Sequence, residues 1–156
     1  MAKPEIKLAG IADVKFGEGV KVIGPCNLYG CSIGDDTFIG PFVEIQKSAA
    51  VGKRCKVQSH AFICELVTIG DDCFIGHGVM FINDTFASGG PAGGRKEFWK
   101  ATVIGDKVSI GSNATILPVS VAAGTVIGAG AVVTKDITKP GVYAGNPARL
   151  IKELPK

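Results

Sequence analysis

With two histidines, one tryptophan and no CxxC pair, this 156-residue chain has little to offer metal or redox chemistry. Its five cysteines (Cys26, Cys31, Cys55, Cys64 and Cys73) show no paired metal spacing, and an odd count suits reduced thiols. No apolar run approaches the ~20 residues of a membrane span. The opening MAKPEIKLAG lacks the apolar stretch of a signal peptide. A cytoplasmic protein with no membrane partner is therefore expected. Glycine is abundant, at 22 residues, but no three-residue period marks collagen. An apolar content of 46% with 20% charged residues fits one globular domain spanning 1–156.

What the chain does have is a period of six. Aliphatic residues fall at Ile33, Ile39, Ile45, Val51, Val57, Ile63, Ile69 and Ile75, and Phe81 closes the run. The phase restarts at Ile104, Ile110 and Ile116, loses one residue, and continues at Val121, Ile127 and Val133. Glycine follows the aliphatic residue at 34, 40, 52, 70, 76, 105, 111 and 128. The fifth position of each hexad is small or β-branched: Thr37, Val43, Ala49, Cys55, Ala61, Val67, Cys73, Val79 and Thr85. Neither a helix stripe nor a simple alternating strand has this period. A short strand and a tight corner, repeated, does. Slots one and five point inward, which makes Cys55 and Cys73 small core residues. Three flats close one coil of 18 residues, and coils stack at about 4.8 Å. The prediction is an all-β parallel solenoid of hexapeptide repeats, with coils at about 11–86 and 104–138. The segment 87–103 has no hexad phase and is expected to be an extruded, functional loop. The tail 139–156 leaves the solenoid, with a short C-terminal helix starting at Asn146 or Pro147 and running through Leu150, Ile151 and Lys152 to cap the open end.

Coil stacking turns spacing into neighbours. Glu65 and Asn83 occupy the same slot one coil apart, with Lys47 extending their column, Asp84 beside Asn83, and the loop leaving from the same corner. His60 and His77 fall at a second corner as near neighbours on successive coils, followed there by Ser112 and Asn113 and then by Ala129 and Gly130. Charge is uneven: residues 1–90 carry eight Lys/Arg against ten Asp/Glu, and residues 91–156 carry nine against four. The basic half suggests an anionic partner, with a solvated basic surface as the plain alternative.

IGDDCFIGHGVMFIND, IGSNATILP, IGAGAVVTKDI and YAGNPARLIK together resemble the hexapeptide-repeat acyltransferases, over most of the chain. That resemblance implies a left-handed β-helix and a homotrimer with active sites between neighbouring subunits. The insertion after FIND and the later GNPA are most similar to the acetyl-CoA-dependent N-acetyltransferases of nucleotide-linked amino deoxysugars, which serve bacterial surface polysaccharide (lipopolysaccharide) synthesis. No nucleic-acid partner and no metal are implied. Asn83 would contact the accepting amine, and Asp84 would bind or orient it. Gly111, Ser112, Ala129 and Gly130 would line the pantetheine arm of acetyl-CoA. Arg149 and Lys152 would draw its phosphates, since both residue types suit phosphate oxygens. Glu65, Phe98 and Trp99 are substrate-binding candidates, because two large aromatics on a free loop would otherwise expose apolar area.

A sugar amine needs little help from a strong base near neutral pH, whereas a hydroxyl does. His60 and His77 are therefore the candidates for an O-acetyltransferase reading, in which a histidine base would add about 10²–10⁴-fold. A non-catalytic scaffold is the third reading. A γ-type carbonic anhydrase is rejected, because its zinc site needs three histidines and the two present are misspaced. In plainer terms, Asn83 and Glu65 could form a hydrogen-bonded corner ladder, both histidines could pack at a subunit interface, and Arg149 and Lys152 could be solvated.

Overall fold

The computed structural model of the chain describes residues 4–6 and 8–154. Its strands are mostly two residues long, because the hexad allows only that much extended chain before each corner. Among the described residues they form three sheets of seven, six and eight strands, here sheets A, B and C, which the chain visits in the order A, B, C. Pairing between successive coils is parallel throughout. The fold is the left-handed parallel β-helix. From Asp36 to Asp72 each corner has one residue at positive φ, even though it carries a side chain: Asp36, Phe42, Ser48, Arg54, His60, Leu66 and Asp72 recur six residues apart. The register is 18 residues per coil where Ile45 pairs Ile63, and 17 where Ser109 pairs Val126 and Thr115 pairs Val132, which is the residue lost from the repeat after Ile116.

The core is a stack of Ile and Val from slot one, with the slot-five residues from Thr37 to Val79 packed beside them, all at 5% exposure or less. Glycine follows slot one because the next coil leaves no room. A Cβ on Gly34 would meet Gly52 backbone, and one on Gly111 would meet Ala129 backbone, both under 3 Å away. Sheet A departs from this rule, with Gln46, Cys64, Ile82 and Leu117 in that slot. Cys64 is sealed between coils, and burial pushes its thiol up to about 11. Cys31, Cys55 and Cys73 are likewise buried, while Cys26 is half-buried. One thiol, Cys26, is therefore expected to react with a bulky disulfide reagent in the native protein, and all five after denaturation. Fast native labelling of several cysteines would contradict this burial.

Inside the corner between sheets B and C, slot five holds Thr37, Cys55, Cys73, Val108 and Thr125, one per coil. Thr37 Oγ1 donates to Gly52 O at 2.8 Å and accepts from Cys55 N at 3.0 Å. Cys55 Sγ donates to Gly70 O at 3.1 Å, and Cys73 Sγ to Gly105 O at 3.2 Å, so each polar side chain bonds to the coil above. Thr125 ends the column, and its buried hydroxyl has no partner among the described residues. Thr37→Val should cost about 1–3 kcal/mol by orphaning Cys55 N–H, while Thr125→Val should be neutral or stabilising. Urea unfolding of both variants checks this, and equal losses would refute the column account.

Three expectations are corrected. The C-terminal helix does not form: Val142–Ala144 adds to sheet C beside Val126–Ile127, and Arg149–Lys152 pairs antiparallel with it. The open edge of Val142–Ala144 would leave backbone donors and acceptors unmet, and the returning strand satisfies them. Residues 142–152 therefore continue the solenoid through this hairpin. The loop is also shorter at its end, since 102–103 lie in the sheet B strand Thr102–Ile104. Thr85 is exposed rather than inward, because the chain turns outward just before it, where Asp84 Oδ1 accepts from Phe86 N at 2.9 Å and Phe86 takes φ +52.

Candidate active site

Residues 83–101 leave the corner between sheets A and B and return to it. The neck is zipped: Asp84 and Trp99 form an antiparallel bridge, and Lys100 N donates to Asn83 O at 2.9 Å. Short loops closed at the neck in this way behave as compact units. Asn83 Nδ2 donates to Glu65 O at 3.3 Å, so the expected Glu65–Asn83 column exists and Asn83 is held from below. Asp84 grips the loop from its base. Its Oδ2 accepts from Ala92 N at 2.7 Å while its Oδ1 holds Phe86 N. Ala92 is only 2% exposed, making it the buried pivot of an otherwise exposed, glycine-rich arch.

The second half of the loop is a single 3₁₀ turn, Lys96–Phe98. A 3₁₀ turn eclipses residues three apart, so RKEFW brings cations over rings. The Arg95 guanidinium lies 4.5 Å from the Phe98 ring centroid, and Lys96 Nζ lies 5.4 Å from that of Trp99. Lys96 Nζ also reaches Glu65 Oε2 at 2.6 Å, so the Glu65 carboxylate is engaged by the loop itself. Arg95, Lys96 and Ala92 escaped the sequence reading. Their signal was the spacing of Arg95 to Phe98 and of Lys96 to Trp99, which says nothing until the backbone is known to be 3₁₀ rather than extended.

The histidines sit elsewhere, at the corner between sheets C and A. His60 takes φ +64, is exposed, and stacks on Phe42 with centroids 4.8 Å apart and planes at 18°. His77 is exposed on the next coil. The two do not share a column: Gly78 N donates to Ser59 O, so Ser59 lies under His77 and His60 under Gly78. Neither imidazole has a hydrogen-bond or ion-pair partner among the described residues. Above His77 come Ser112 and then Ala129, linked by Asn113 N to His77 O at 2.8 Å and Gly130 N to Ser112 O at 2.9 Å. Gly111, Ser112, Ala129 and Gly130 thus form a low shelf of small residues above His77. Arg149, on the last strand of sheet C, pairs with Ala144, which lies against Gly128. That sets Arg149 two strands, or about 10 Å, from the end of the shelf. Lys152 pairs with Val142, further along the same strand.

Two clusters result. Asn83, Asp84, Glu65, Phe98 and Trp99 gather at the loop corner, and His77, the shelf and Arg149 gather at the other. The strand Met80–Phe81 and the width of sheet A separate them, on the order of 15 Å along one chain.

A three-sided coil with glycine rows and an extruded loop is the architecture of hexapeptide-repeat proteins. Residues 30–65 match the bacterial transferase hexapeptide family (six repeats), and residues 66–80 with 101–135 match the hexapeptide repeat of succinyl-transferase. The two matches cover more than half of the chain and skip the loop. The chain belongs to the hexapeptide-repeat acyltransferases. Among solved structures it is similar to a variant of AntD, an N-acyltransferase from Bacillus cereus, in complex with dTDP and coenzyme A. Identity is 19%, coverage is 91% of this chain and 84% of that one, and the TM-score is 0.80. It is also similar to a hexapeptide-repeat acetyltransferase of Vibrio cholerae complexed with acetyl-CoA, at 24% identity, 81% and 72% coverage and a TM-score of 0.65. A variant of GDP-perosamine N-acetyltransferase from Caulobacter crescentus, in complex with CoA and GDP-perosamine, matches at 22% identity and a TM-score of 0.54. There 88% of this chain covers 50% of that one. At these identities the likeness to the solved structures is one of fold.

Proposed function

We propose that this protein transfers the acetyl group of acetyl-CoA to the amine of a nucleotide-linked amino deoxysugar used in bacterial surface polysaccharide. The observation that carries the reading is the loop corner, where Asp84 and Asn83 stand beneath a structured cationic loop with no histidine of the same chain near them. The N-acyltransferases of similar fold, one complexed with dTDP and CoA and one with CoA and GDP-perosamine, support it. A carboxylate offers about four acceptor positions, and loop N–H groups take two. The others would receive an amine N–H and orient its lone pair. The amine nitrogen attacks the thioester carbonyl, the C–N bond forms, the C–S bond breaks, and the amine proton leaves with the CoA thiol. Asn83 Oδ1 is the second acceptor for that amine. Positioning of this kind is what an already neutral nucleophile needs most.

The two clusters are too far apart in one chain to share one small reaction centre. The reading therefore joins the loop corner of one copy to the shelf of a neighbour, in a homotrimer working in the cytoplasm. There Gly111, Ser112, Ala129 and Gly130 would flank the pantetheine arm, with Arg149 and Lys152 near the phosphates of CoA. A hydroxyl acceptor is the second reading. The observation favouring it is that His77, unlike His60, stands directly below the shelf, so His77 would be the base.

The test is CoA thiol release from acetyl-CoA against nucleotide-linked amino sugars and their hydroxyl analogues. Release with amines, retained in His77→Ala, is the expected result. Release with hydroxyl acceptors alone, abolished in His77→Ala, would replace it with O-acetylation, and no release with any acceptor would defeat both.

A further inference from the structure

The loop holds a guanidinium whose outer edge is uncommitted. Arg95 Nε donates to Ala92 O at 3.2 Å, and the guanidinium carbon lies over the Phe98 ring at 4.5 Å. One of its five N–H donors is thus used, and both Nη groups remain. No carboxylate pairs with it among the described residues, although its neighbour Lys96 is neutralised by Glu65. Ordering a long, flexible side chain on an exposed loop costs much rotamer entropy, and here the result is a fixed fork open to solvent. That fork suits a phosphate, which accepts two parallel N–H bonds.

Its place relative to Asp84 is also fixed, through one residue. Ala92 N donates to Asp84 Oδ2 at 2.7 Å, and Ala92 O receives Arg95 Nε. The path from carboxylate to guanidinium is therefore at most about 10 Å, from these contacts and one residue's dimensions. An amino-hexose carries its amine roughly 6–7 Å from the phosphorus on its anomeric oxygen, from bond lengths near 1.5 Å. A sugar whose amine meets Asp84 would place its first phosphate in reach of the Nη groups. Lys100, also without a carboxylate partner among the described residues, adds positive charge at the neck.

We propose that Arg95 is a specificity-determining residue that binds the diphosphate of the acceptor. This rests on the amino-sugar reading above. The phosphates of CoA are the other source of the same chemistry. In the joined site Arg149 and Lys152 of the neighbouring copy are the cations on the CoA side, whereas Arg95 is tied through Ala92 to Asp84, where the acceptor amine would sit, which favours the acceptor.

The experiment is equilibrium binding, by calorimetry, of inorganic pyrophosphate, dTDP, GDP and, in parallel, acetyl-CoA to wild-type protein and to Arg95→Gln and Arg95→Lys. Arg95 is exposed, so both variants should fold, and a thermal melt together with Trp99 fluorescence verifies the core and the loop. The expected result is a loss of about tenfold to a hundredfold in affinity for a nucleoside diphosphate in Arg95→Gln. Arg95→Lys should recover only part of it, because a point charge replaces a fork, and acetyl-CoA binding should not change. The proposal is overturned if Arg95→Gln binds nucleoside diphosphates as well as the wild type does, or if Arg95→Lys fully restores them. It also falls if the loss is confined to acetyl-CoA, or if the wild type binds no nucleoside diphosphate at millimolar concentration. Binding is read without acetyl transfer. A protein that binds dTDP or GDP through Arg95 but acetylates no amino sugar would therefore refute the functional reading alone.

Discussion

Replacing Asp84 with alanine is expected to lower kcat/KM for acetyl transfer by about a hundredfold or more, with the core intact. The carboxylate holds Phe86 N and Ala92 N, which sets the loop on its base. On the proposed reading its remaining lone pairs would also receive the acceptor amine. Alanine removes both. Asp84→Asn separates them, since its amide oxygen can still accept one loop N–H while the negative charge is gone. If orientation of the amine by charge matters most, asparagine will be nearly as poor as alanine. If holding the loop matters most, asparagine will recover much of the rate, and Trp99 fluorescence will stay like that of the wild type. Steady-state kinetics on both variants decides this, and wild-type rates in Asp84→Ala would remove the residue from the mechanism. Asn83→Ala should also slow transfer, with a further loss of the hydrogen bond to Glu65 O that steadies the corner.

Phe81→Ala should cost about 3–5 kcal/mol of stability. Phe81 is fully buried, occupies the slot that isoleucine fills in the coil below, and pairs in register with Ile116 above. It is the last inward residue before the chain leaves for the loop. Its ring fills the core where no slot-five side chain follows, since Thr85 is exposed. Neighbouring coils are fixed by their own backbone ladders and cannot close over the space, so the cavity term adds to the lost burial. Ile75→Ala, in the coil position just before it, should cost about 2–5 kcal/mol by the same reasoning. Equilibrium unfolding in urea measures both. A cost below about 1 kcal/mol for Phe81→Ala would mean that the corner collapses freely, contrary to the packing described.

Much of the stacking at the candidate site was legible in the sequence. The Glu65–Asn83 column followed from the period alone, because a residue one coil on in a regular solenoid lies directly above its counterpart. The shelf of Gly111, Ser112, Ala129 and Gly130 followed in the same way. His60 and His77 lie on successive coils at the same corner, offset by one position because 17 residues is one short of this coil's 18. That single step moves His77 above Ser59 and leaves His60 to stack on Phe42. The C-terminal helix failed for a different reason. A short segment with Asn146 and Pro147 in front of Leu150 and Ile151 fits a helix start locally, but an open strand beside it offers hydrogen bonds that a single helical turn cannot match.

The sequence by itself determined the solenoid, the order of its flats, the place of the break and the column at the loop corner. All of these are consequences of one period, which repeats the same local choice many times over. Only the tertiary structure decided what the aperiodic parts do. Glu65 is bound by Lys96, Asp84 holds Ala92, and Arg95 is set on Phe98 with its outer edge free. Those contacts join residues whose separation in sequence carries no rule, through a loop whose path is set by where its two ends are fastened. Repetition made the coil predictable, and its interruption made the site depend on three-dimensional contacts.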